Sequence, residues 1–379
     1  MNPRPLVTFV VPCFKLAHVL GECLSSICGQ SYPNLEILVM DDCSPDDVAW
    51  VIAAFGDARV QHIRNEPNLG HLRNYNKGIA LAKGEYIWLI SADDVLRDRS
   101  VVERLVAVLE RNPRAGYAFC PAVRFTAAGD RGPYGSHGEQ DRIFRGEDFL
   151  REWLVLGNSV PAAAGLVRRE CYERLGAFPL DMPFAGDWYM WALFAMYYDV
   201  AYLATPMVGY RTHDGNMTLE FKGRPAALVG DMIRVRWSVY HLAQREGMSE
   251  VARAFRQSIA HEYAFRTTQT HVVTGSYRMG LDELNASLEE HCQDRRDRAY
   301  MLSAVYAALG DLEYEQGTPA RASEHYDAAL RENPFAVRTR VKHALSRLGS
   351  PGHRLRAVVS PHKPPARATT GDRRAIPTR

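Results

Sequence analysis

Strand-length apolar runs alternate with amphipathic helical segments through about the first 110 residues. The runs at residues 6–11, 35–40 and 85–90 have the length and composition of buried strands. Between the first two, apolar residues recur at helical spacing, at Leu16, Leu20, Cys23, Leu24 and Ile27. Repeated strand and helix units predict an open, mainly parallel α/β sheet, in which ligands bind beyond the carboxyl ends of the strands. Functional side chains are therefore expected at those ends.

The pattern becomes less regular after this region. Residues 129–141 combine Gly with charge and predict a loop. A helix is expected near residues 147–156, a strand near 165–168 and a second helix over 186–199. These elements extend the α/β domain to residue 222.

Only helical patterns follow, from about residue 224 to 348, and they predict a separate α-helical domain over residues 223–349. One tetratricopeptide-like helix pair is expected over residues 303–336. Its signature positions are Tyr306, Leu309, Gly310, Gly317, Ala322, Tyr326, Ala329 and Pro334. Residues 350–379 are rich in Pro, Gly and Arg without periodicity and predict a disordered tail.

The charge of the chain is unevenly distributed. The whole sequence carries a net charge of +2, with 46% apolar and 24% charged residues, as in a soluble globular protein. Residues 335–379 hold 11 Lys and Arg against one acid. This basic end predicts weak electrostatic contact with an anionic membrane surface or, alternatively, a solubilising tail. No aromatic residue follows Phe335, so nucleic-acid binding by base stacking is not predicted.

The seven cysteines form an odd set without CxxC spacing, which argues against a disulfide framework or a zinc site. A cytoplasmic location is therefore expected. The apolar run at residues 6–11 is too short for a signal sequence or a membrane span, and no transmembrane helix is predicted.

Two acidic clusters follow predicted strands. Asp41 and Asp42 end the second apolar run, and Ser44 is predicted to cap the helix after them. Asp93 and Asp94 follow the run at 85–90. Adjacent carboxylates repel each other unless a cation binds, so this pair suggests Mg²⁺ or Mn²⁺ held together with substrate phosphates. The alternative is that they cap the next helix.

Five motifs occur in order along residues 5–220. They are VVPCFK at 10–15, MDDCSPDD at 40–47, NLGHLRNYNKGIALAKGEYIWLISADD at 68–94, GDWYMW at 186–191 and YRTHDGNMT at 210–218. In this order and spacing they resemble the motifs of family 2 glycosyltransferases, and several ordered motifs are more specific than any one of them. The resemblance implies the GT-A nucleotide-diphospho-sugar transferase fold for residues 1–222.

The resemblance also implies a site for a nucleotide-diphosphate sugar donor. Asp42 corresponds to an acid that accepts a hydrogen bond from the imide N–H of the base, which favours UDP or dTDP because an ionised carboxylate only accepts. Pro12 corresponds to a residue beside that base. Arg73 corresponds to a basic residue near the nucleotide, or else lies on a solvated helix face. Asp93 corresponds to an acid near the ribose and the metal.

The remaining correspondences concern the metal and the chemistry. Asp94 corresponds to the ligand of a divalent metal, Mn²⁺ or Mg²⁺, that bridges the diphosphate, and His213 to a residue that ligates the metal or touches the diphosphate. Arg211 is expected to meet phosphate. Asp187 corresponds to the catalytic base of inverting members; its alternative role is a helix cap.

The sequence departs from the family at two motifs. Ser91 replaces the first Asp of DxDD, and Ile233 stands where the QxxRW motif of processive synthases has Gln before Arg236 and Trp237. Addition of a single sugar is therefore expected. Family members imply a surface polysaccharide or a lipid-linked glycan as acceptor, met at the inner face of the membrane.

Two other functions are alternatives to sugar transfer. A non-catalytic sugar-nucleotide-binding scaffold could act through the helical domain, although the combination of Asp94, Asp187 and His213 argues against it. A nucleotidyltransferase would need a Gly-rich basic loop after the first strand, and VPCFKLAHV has no Gly.

Overall fold

A computed structural model describes residues 4–216, 223–268, 271–272 and 275–347. The chain divides into two compact units, Met1–Glu220 and Phe221–Arg379. The predicted boundary after residue 222, the last two residues of the motif at 210–218 and the predicted tail at 350–379 lie outside the described residues.

The first unit is built of alternating strands and helices. Its strands are β1 (Val7–Cys13), β2 (Leu35–Asp41), β3 (Val60–Arg64), β4 (Tyr86–Leu89), β5 (Val95–Leu96), β6 (Ala115–Phe119), β7 (Ala122–Thr126), β8 (Gly129–Tyr134), β9 (Arg142–Phe144), β10 (Gly165–Arg168), β11 (Asp199–Tyr202) and β12 (Val208–Arg211). Its helices are α1 (Ala17–Cys28), α2 (Val48–Phe55), α3 (His71–Leu81), α4 (Val101–Arg111), α5 (Gly146–Glu152), α6 (Arg169–Leu175) and α7 (Gly186–Tyr197). Short 3₁₀ turns cover Leu154–Leu156 and Ala162–Ala164.

The central sheet has the order β3-β2-β1-β4-β10-β6-β11-β9 within the described chain. The first four strands in this order are parallel, as predicted, whereas β10 runs antiparallel to both of its neighbours, β4 and β6. Every residue of β1 and β2 is buried, and the predicted apolar face of α1 packs onto this sheet. The fold therefore confirms the predicted GT-A-type α/β architecture and brings the ends of β1, β2 and β4 to one edge.

A smaller sheet has the order β5-β12-β7-β8. It contradicts part of the loop prediction for residues 129–141, because residues 129–134 form β8 and pair antiparallel with β7. The strand escapes prediction because it is a Gly-rich edge strand, and mostly exposed side chains leave no apolar alternation to detect.

The predicted cap of the second helix was also wrong. Asp47, not Ser44, is the N-cap of α2, and its side chain accepts a 2.9 Å hydrogen bond from the backbone N–H of Trp50. Oγ of Ser44 instead accepts a 2.7 Å bond from the backbone N–H of Lys15. A contact between segments distant in sequence has taken the side chain that local rules assign to the cap.

The second unit is helical, as predicted. Its helices are α8 (Pro225–Arg245), α9 (Ser249–Thr268), α10 (Leu281–His291), α11 (Arg295–Glu315), α12 (Pro319–Glu332) and α13 (Val337–Arg347). Two short strands, β13 (His271–Val272) and β14 (Gly275–Ser276), pair between α9 and α10. None of the helices in the described ranges is long and apolar enough to cross a bilayer.

The predicted helix pair corresponds to α11 and α12, and it is confirmed. Gly310 allows close contact, since a Cβ there would lie 2.5 Å from Cε1 of the buried Tyr326 ring. The hydroxyl of Tyr326 donates a 2.7 Å hydrogen bond to Asp311, and Oγ of Ser303 donates a 2.8 Å bond to the carbonyl of Ala329. The small and aromatic positions of the sequence pattern therefore meet across the two helices.

Candidate functional site

The turn after β4 places two adjacent carboxylates, Asp93 and Asp94, beyond the carboxyl end of the parallel strands. Asp94 is buried, and its Oδ1 accepts a 2.9 Å hydrogen bond from the backbone N–H of Arg211. Burial first, and then the charge of Asp93, raise the pKa of Asp94 well above its usual range. Oδ2 of Asp94 has no hydrogen-bond partner among the residues that the structure describes. A bound cation would offset the cost of ionising this carboxyl group.

The partners of Asp93 come from β12 and the turn after it. Nε2 of His213, 120 positions further along the chain, lies 2.9 Å from Oδ2 of Asp93. Nδ1 of His213 accepts a 3.1 Å bond from the backbone N–H of Gly215, so the neutral ring carries its proton on Nε2 and donates it to Asp93. Nδ2 of Asn216 lies 3.5 Å from the same carboxylate oxygen. Tertiary structure thus joins the predicted acid and the predicted histidine.

Arg211 holds the same turn through its backbone and its side chain. In addition to the bond to Asp94, its Nε donates a 2.8 Å hydrogen bond to the backbone carbonyl of Asp93. The guanidinium pairs with Glu22 of α1 and lies 4.6 Å from the centre of the Phe125 ring. These contacts favour a positioning role for Arg211, and direct phosphate contact stays a prediction.

The side chains around Asp94 can be compared with the ligands that a divalent cation takes in proteins. Within residues 4–216, 223–268, 271–272 and 275–347, no group of three or more His, Cys, Asp and Glu side chains could hold a metal ion. Mg²⁺ at phosphate-transfer sites takes one or two protein carboxylates and completes its shell with water and substrate phosphate. Asp94, with one oxygen uncommitted, fits a site of that sparse kind. Both ring nitrogens of His213 are already engaged, Nε2 by Asp93 and Nδ1 by the backbone N–H of Gly215.

Asp42 directly follows β2 and holds the chain that leads into α3. Its Oδ1 accepts a 2.8 Å hydrogen bond from the backbone N–H of Leu69 and a 2.9 Å bond from Nδ2 of Asn65. Its Oδ2 accepts a 3.0 Å bond from the backbone N–H of Gly70. Because a carboxylate has about four acceptor positions, one position on Oδ2 is left for an external donor.

Pro12 and Arg73 occupy different environments. Pro12 lies in β1 opposite Met40, and its carbonyl accepts a 3.2 Å bond from the backbone N–H of Ala92, which ties β1 to the turn that carries the acid pair. Arg73 is exposed on α3 and forms no hydrogen bond or ion pair with the described residues. The structure therefore brings Pro12 to the strand ends and leaves the guanidinium of Arg73 in solvent.

Asp187 lies in the first turn of α7 and is partly buried. Its Oδ2 accepts a 2.6 Å hydrogen bond from Nδ2 of Asn158, and its Oδ1 accepts a 2.7 Å bond from the backbone N–H of Trp188. Burial raises the pKa of Asp187 to about 6, although both hydrogen bonds act to lower it. The N-cap position of α7 belongs to Ala185, so Asp187 is not the cap. A carboxylate with this pKa can take up a proton near neutral pH.

Two contacts connect the surroundings of Asp187 with the rest of the site. Nε2 of His71, at the start of α3, lies 2.9 Å from the carbonyl oxygen of Pro183 in the segment before α7. The rings of Tyr134 in β8 and Tyr210 in β12 lie 6.2 Å apart. Burial and then the charge of Asp187 raise the pKa of Tyr134 to about 12. Asp187 therefore lies close to the small sheet, whose strand β12 leads to the turn that carries His213.

Asp41 and Asp42 have different roles although they are adjacent. Asp41 is fully buried, and its Oδ2 lies 2.7 Å from Nη1 of Arg64 and 2.9 Å from Nε2 of His62. Its Oδ1 accepts a 2.8 Å bond from the backbone N–H of Ser44. These contacts fix the end of β3 against β2, so Asp41 is part of the supporting structure.

The sequence did not reveal the amides that hold the acids. Asn158 binds Asp187, Asn216 approaches Asp93, and Asn65 binds Asp42. Asn65 is itself fixed by Asn74 at 2.8 Å and by Nζ of Lys77 at 2.7 Å. Asn is common in loops for reasons of turn geometry, so no pattern in the sequence distinguishes Asn65 and Asn158. Asn216 lies within the motif at 210–218, which is the signal that could have revealed it.

Known proteins match the first unit in sequence and most of the chain in fold. The model of the family described as glycosyl transferase family 2 matches residues 8–176. An uncharacterized glycosyltransferase of Haemophilus influenzae is 28% identical over 224 residues, which are 58% of this chain and 68% of that protein. The Escherichia coli protein named UDP-Glc:alpha-D-GlcNAc-diphosphoundecaprenol beta-1,3-glucosyltransferase WfgD is 28% identical over 107 residues, 28% of this chain and 42% of that one.

A solved structure of similar fold is that of S. aureus TarS 1–349. It superposes with a TM-score of 0.52 at 14% identity and covers 91% of this chain and 92% of that one. The likeness therefore extends through the helical unit at the level of fold. The chain spans half or less of several other curated relatives. The matched model, the order of the motifs and the acids at the strand ends agree, and together they identify residues 8–176 as a region of the glycosyl transferase family 2 type.

Proposed function

We propose that this protein is an inverting glycosyltransferase that moves one sugar from a nucleotide-diphosphate sugar to a hydroxyl group of an acceptor. The proposal rests on one observation: the first unit holds two acids, Asp94 and Asp187, whose surroundings alter their chemistry in different ways. Asp94 is buried with an uncommitted oxygen beside Asp93, and Asp187 has a pKa of about 6. The environment of Asp94 suits binding of a cation that neutralises a diphosphate. The pKa of Asp187 suits the role of a general base.

The proposed donor is a UDP- or dTDP-sugar. Asp42 keeps one acceptor position after binding Leu69, Asn65 and Gly70, and the imide N–H of uracil or thymine would complete it. Cytosine has no N–H at that ring position and is disfavoured. Pro12 would lie beside the base, and Arg73 is free to reach the nucleotide from α3. The relative WfgD, which is named for its use of UDP-Glc, supports this choice.

Asp94 is the residue that would hold a divalent cation, Mn²⁺ or Mg²⁺. His213 would join it by losing the proton on Nε2 and exchanging its bond to Asp93 for the cation. When bound, the cation supplies positive charge against the diphosphate that leaves with the nucleoside. Asp93 is proposed to bind the ribose while it orients His213. Arg211 fixes the turn of both acids through its backbone N–H and its Nε.

Asp187 is the proposed catalytic base. Its carboxylate takes the proton of the acceptor hydroxyl while the hydroxyl oxygen attacks the anomeric carbon, opposite the leaving diphosphate, which inverts the configuration. Asn158 and the backbone N–H of Trp188 each fix one carboxylate oxygen. The orientation of the base is thus set before the acceptor arrives.

Addition of one sugar per encounter is proposed because the processive motif is incomplete and its remaining residues have other contacts. Arg236 is buried in α8 and pairs with Glu262 of α9 at 3.2 Å. Nε1 of Trp237 donates a 2.9 Å hydrogen bond to the hydroxyl of Tyr263. Both side chains belong to the packing of the helical unit.

The proposed acceptor is a surface polysaccharide or a lipid-linked glycan, met on the cytoplasmic side at the inner face of the membrane. The name of WfgD, which includes a diphosphoundecaprenol-linked sugar, supports a lipid-linked acceptor. All seven cysteines are free, in keeping with a reducing compartment.

A thermal-shift panel of UDP-, dTDP- and GDP-sugars, each with and without Mn²⁺, tests the proposal. We expect UDP- or dTDP-sugars to raise Tm, with a larger rise when Mn²⁺ is present, because ligands that bind only the folded state stabilise it by about 2.7 kcal/mol at a hundredfold excess over Kd. Asp94→Asn should remove the effect of Mn²⁺. If no sugar nucleotide raises Tm in any condition, the catalytic proposal is wrong and the scaffold function is favoured.

A further inference from the structure

The turn between α12 and α13 exposes large apolar side chains that lie close together in the chain. Phe335 is 84% exposed and Val337 is 67% exposed. Val341 is also exposed and lies one helical turn after Val337, on the same side of α13. Single exposed apolar residues are ordinary, whereas neighbouring ones at this exposure mark an interaction surface.

The same segment is basic and contains no acid from residue 333 to residue 347. Two of its cations are neutralised by α11 and α12, since Lys342 pairs with Asp311 and Arg347 with Asp327. Arg338 and Arg340 have no carboxylate partner in the described part of the chain. The guanidinium of Arg340 donates a hydrogen bond to the backbone carbonyl of Pro334, next to Phe335 in the chain. Because a carbonyl group is neutral, this bond does not neutralise the positive charge of Arg340.

The rest of α13 is anchored to the helical unit. Thr339, Leu345 and Ser346 are buried, and Nε2 of His343 lies 3.1 Å from Oγ of Ser323 in α12. The exposed apolar and basic side chains of α13 therefore project from a fixed helix, and Phe335 lies in the turn directly before it. Residues 348–379, which follow directly, add seven Lys and Arg against one acid.

We propose that this face docks the helical unit onto an anionic lipid bilayer. It consists of Phe335, Val337 and Val341, with Arg338 and Arg340 beside them, and we call it the α13 face. Its apolar side chains would enter the boundary between headgroups and acyl chains, while its cations meet the negative surface potential. The combination favours a bilayer over a soluble acidic partner, because charge alone would not require an exposed Phe.

This inference deepens the proposed function, since a lipid-linked acceptor would be met at the same surface. It differs from attachment by the basic tail alone, because it assigns the apolar contribution to two residues of a packed helix and one residue of the turn before it. Binding to lipid needs neither donor nor acceptor, so it can be measured independently of transfer.

The test is co-sedimentation of the full chain with vesicles of phosphatidylcholine and phosphatidylglycerol, and with vesicles of phosphatidylcholine alone. The full chain should bind the anionic vesicles, and the double variant Phe335→Ser, Val337→Ser should weaken that binding about tenfold or more. The variant Arg338→Gln, Arg340→Gln should weaken it about tenfold at low salt and less at high salt. Trp50→Ser and Leu281→Ser are matched controls, because both residues are exposed to a similar degree, at 68% and 64%, outside the α13 face.

Three results would overturn the inference. Unchanged vesicle binding by the Phe335→Ser, Val337→Ser variant would assign attachment to other residues. Equal loss in the Trp50→Ser or Leu281→Ser controls would make the effect unspecific. A lipid-free dimer that this double variant converts to a monomer in sedimentation velocity would make the α13 face a protein interface. UDP-sugar binding is measured in parallel, and its absence from the unmodified chain would contradict the proposed function without affecting the lipid result.

Discussion

Nδ2 of Asn158 donates a 2.6 Å hydrogen bond to Oδ2 of Asp187 and so joins the loop before β10 to the first turn of α7. The bond stabilises the ionised carboxylate, whereas burial stabilises the protonated form. The balance of these effects leaves the pKa of Asp187 at about 6. A base in this range is mostly ionised at neutral pH and still able to accept a proton. Asn158 is therefore the residue through which the strength of the base can be altered without removing it.

Replacing the proposed base gives the most direct prediction. Asp187→Asn should lower kcat for sugar transfer by about 100-fold to 10,000-fold, the usual contribution of a general base, and should leave the Kd for the donor nearly unchanged. Single-turnover transfer and donor titration check the two parts. Glu170→Gln, which also removes an acid from the first turn of a helix in the same unit, is the matched control and should retain transfer. Near-normal kcat in Asp187→Asn would contradict the assignment.

The pH dependence follows from the same group. Because Asp187 is protonated below its pKa, transfer should fall as the pH drops through about 6 and should level off above it. Asn158→Ala removes a hydrogen bond that lowers the pKa, so the acid limb should move to higher pH. A profile of kcat/KM against pH measures the shift. Asn34→Ala, which removes an exposed amide bonded to the backbone of Arg4, is the control and should leave the apparent pKa of the acid limb unchanged. The same apparent pKa in the unmodified protein, Asn158→Ala and Asn34→Ala would refute the role of Asn158.

Asp42→Asn should affect both stability and base selectivity. An Asn amide cannot accept from all three donors that Asp42 now satisfies, so the free energy of unfolding should fall by about 1–3 kcal/mol. The Asn amide can also donate a hydrogen bond to the ring nitrogen of cytosine, which carries no hydrogen. The ratio of the affinities for UDP and CDP should therefore decrease. Denaturant unfolding and competitive binding of the two nucleotides measure these effects. Glu66→Gln, an exposed change in the same loop region, should alter neither. An undiminished preference for UDP would argue against contact between Asp42 and the base.

Removal of divalent cations should abolish transfer. Treatment with EDTA is expected to reduce activity to background, and Mn²⁺ or Mg²⁺ should restore it, since the leaving diphosphate then regains its counter-charge. His213→Ala should raise the Mn²⁺ concentration needed for half-maximal activity. Asp130→Asn, at an exposed acid paired with Arg97, serves as the control. Full activity in EDTA would exclude a metal from the mechanism.

Two glycines of the helical unit should respond in opposite directions to the same change. Gly310→Ala places a Cβ 2.5 Å from the buried Tyr326 ring and should lower the free energy of unfolding by about 1–3 kcal/mol. Gly230→Ala in α8 meets nothing within 4 Å and should raise it by about 0.5–1 kcal/mol, because Ala favours helices. Thermal unfolding of both variants measures the difference. Destabilisation by Gly230→Ala as large as that by Gly310→Ala would show that close packing against Tyr326 is not the cause.

Local patterns were sufficient for elements whose stability depends on one continuous apolar face. The face of α1 and the buried strands β1 and β2 could be predicted because regular spacing of apolar residues encodes burial directly. The pair of α11 and α12 could be predicted because small and aromatic residues recur at a fixed spacing. Strand β8 could not, since an exposed edge strand buries few side chains and leaves no periodic signal.

The sequence by itself determined the α/β architecture, the helical second unit and, through ordered motifs, the family and the acids to examine. Only the tertiary structure decided how those acids are held. It brought His213 to Asp93, gave Asp42 three donors from the chain before α3, and set the pKa of Asp187 through burial and Asn158. The physical reason is that periodicity records what each element buries, whereas hydrogen bonds between distant loops and the desolvation of a carboxyl group exist only when the folded chain brings their partners together.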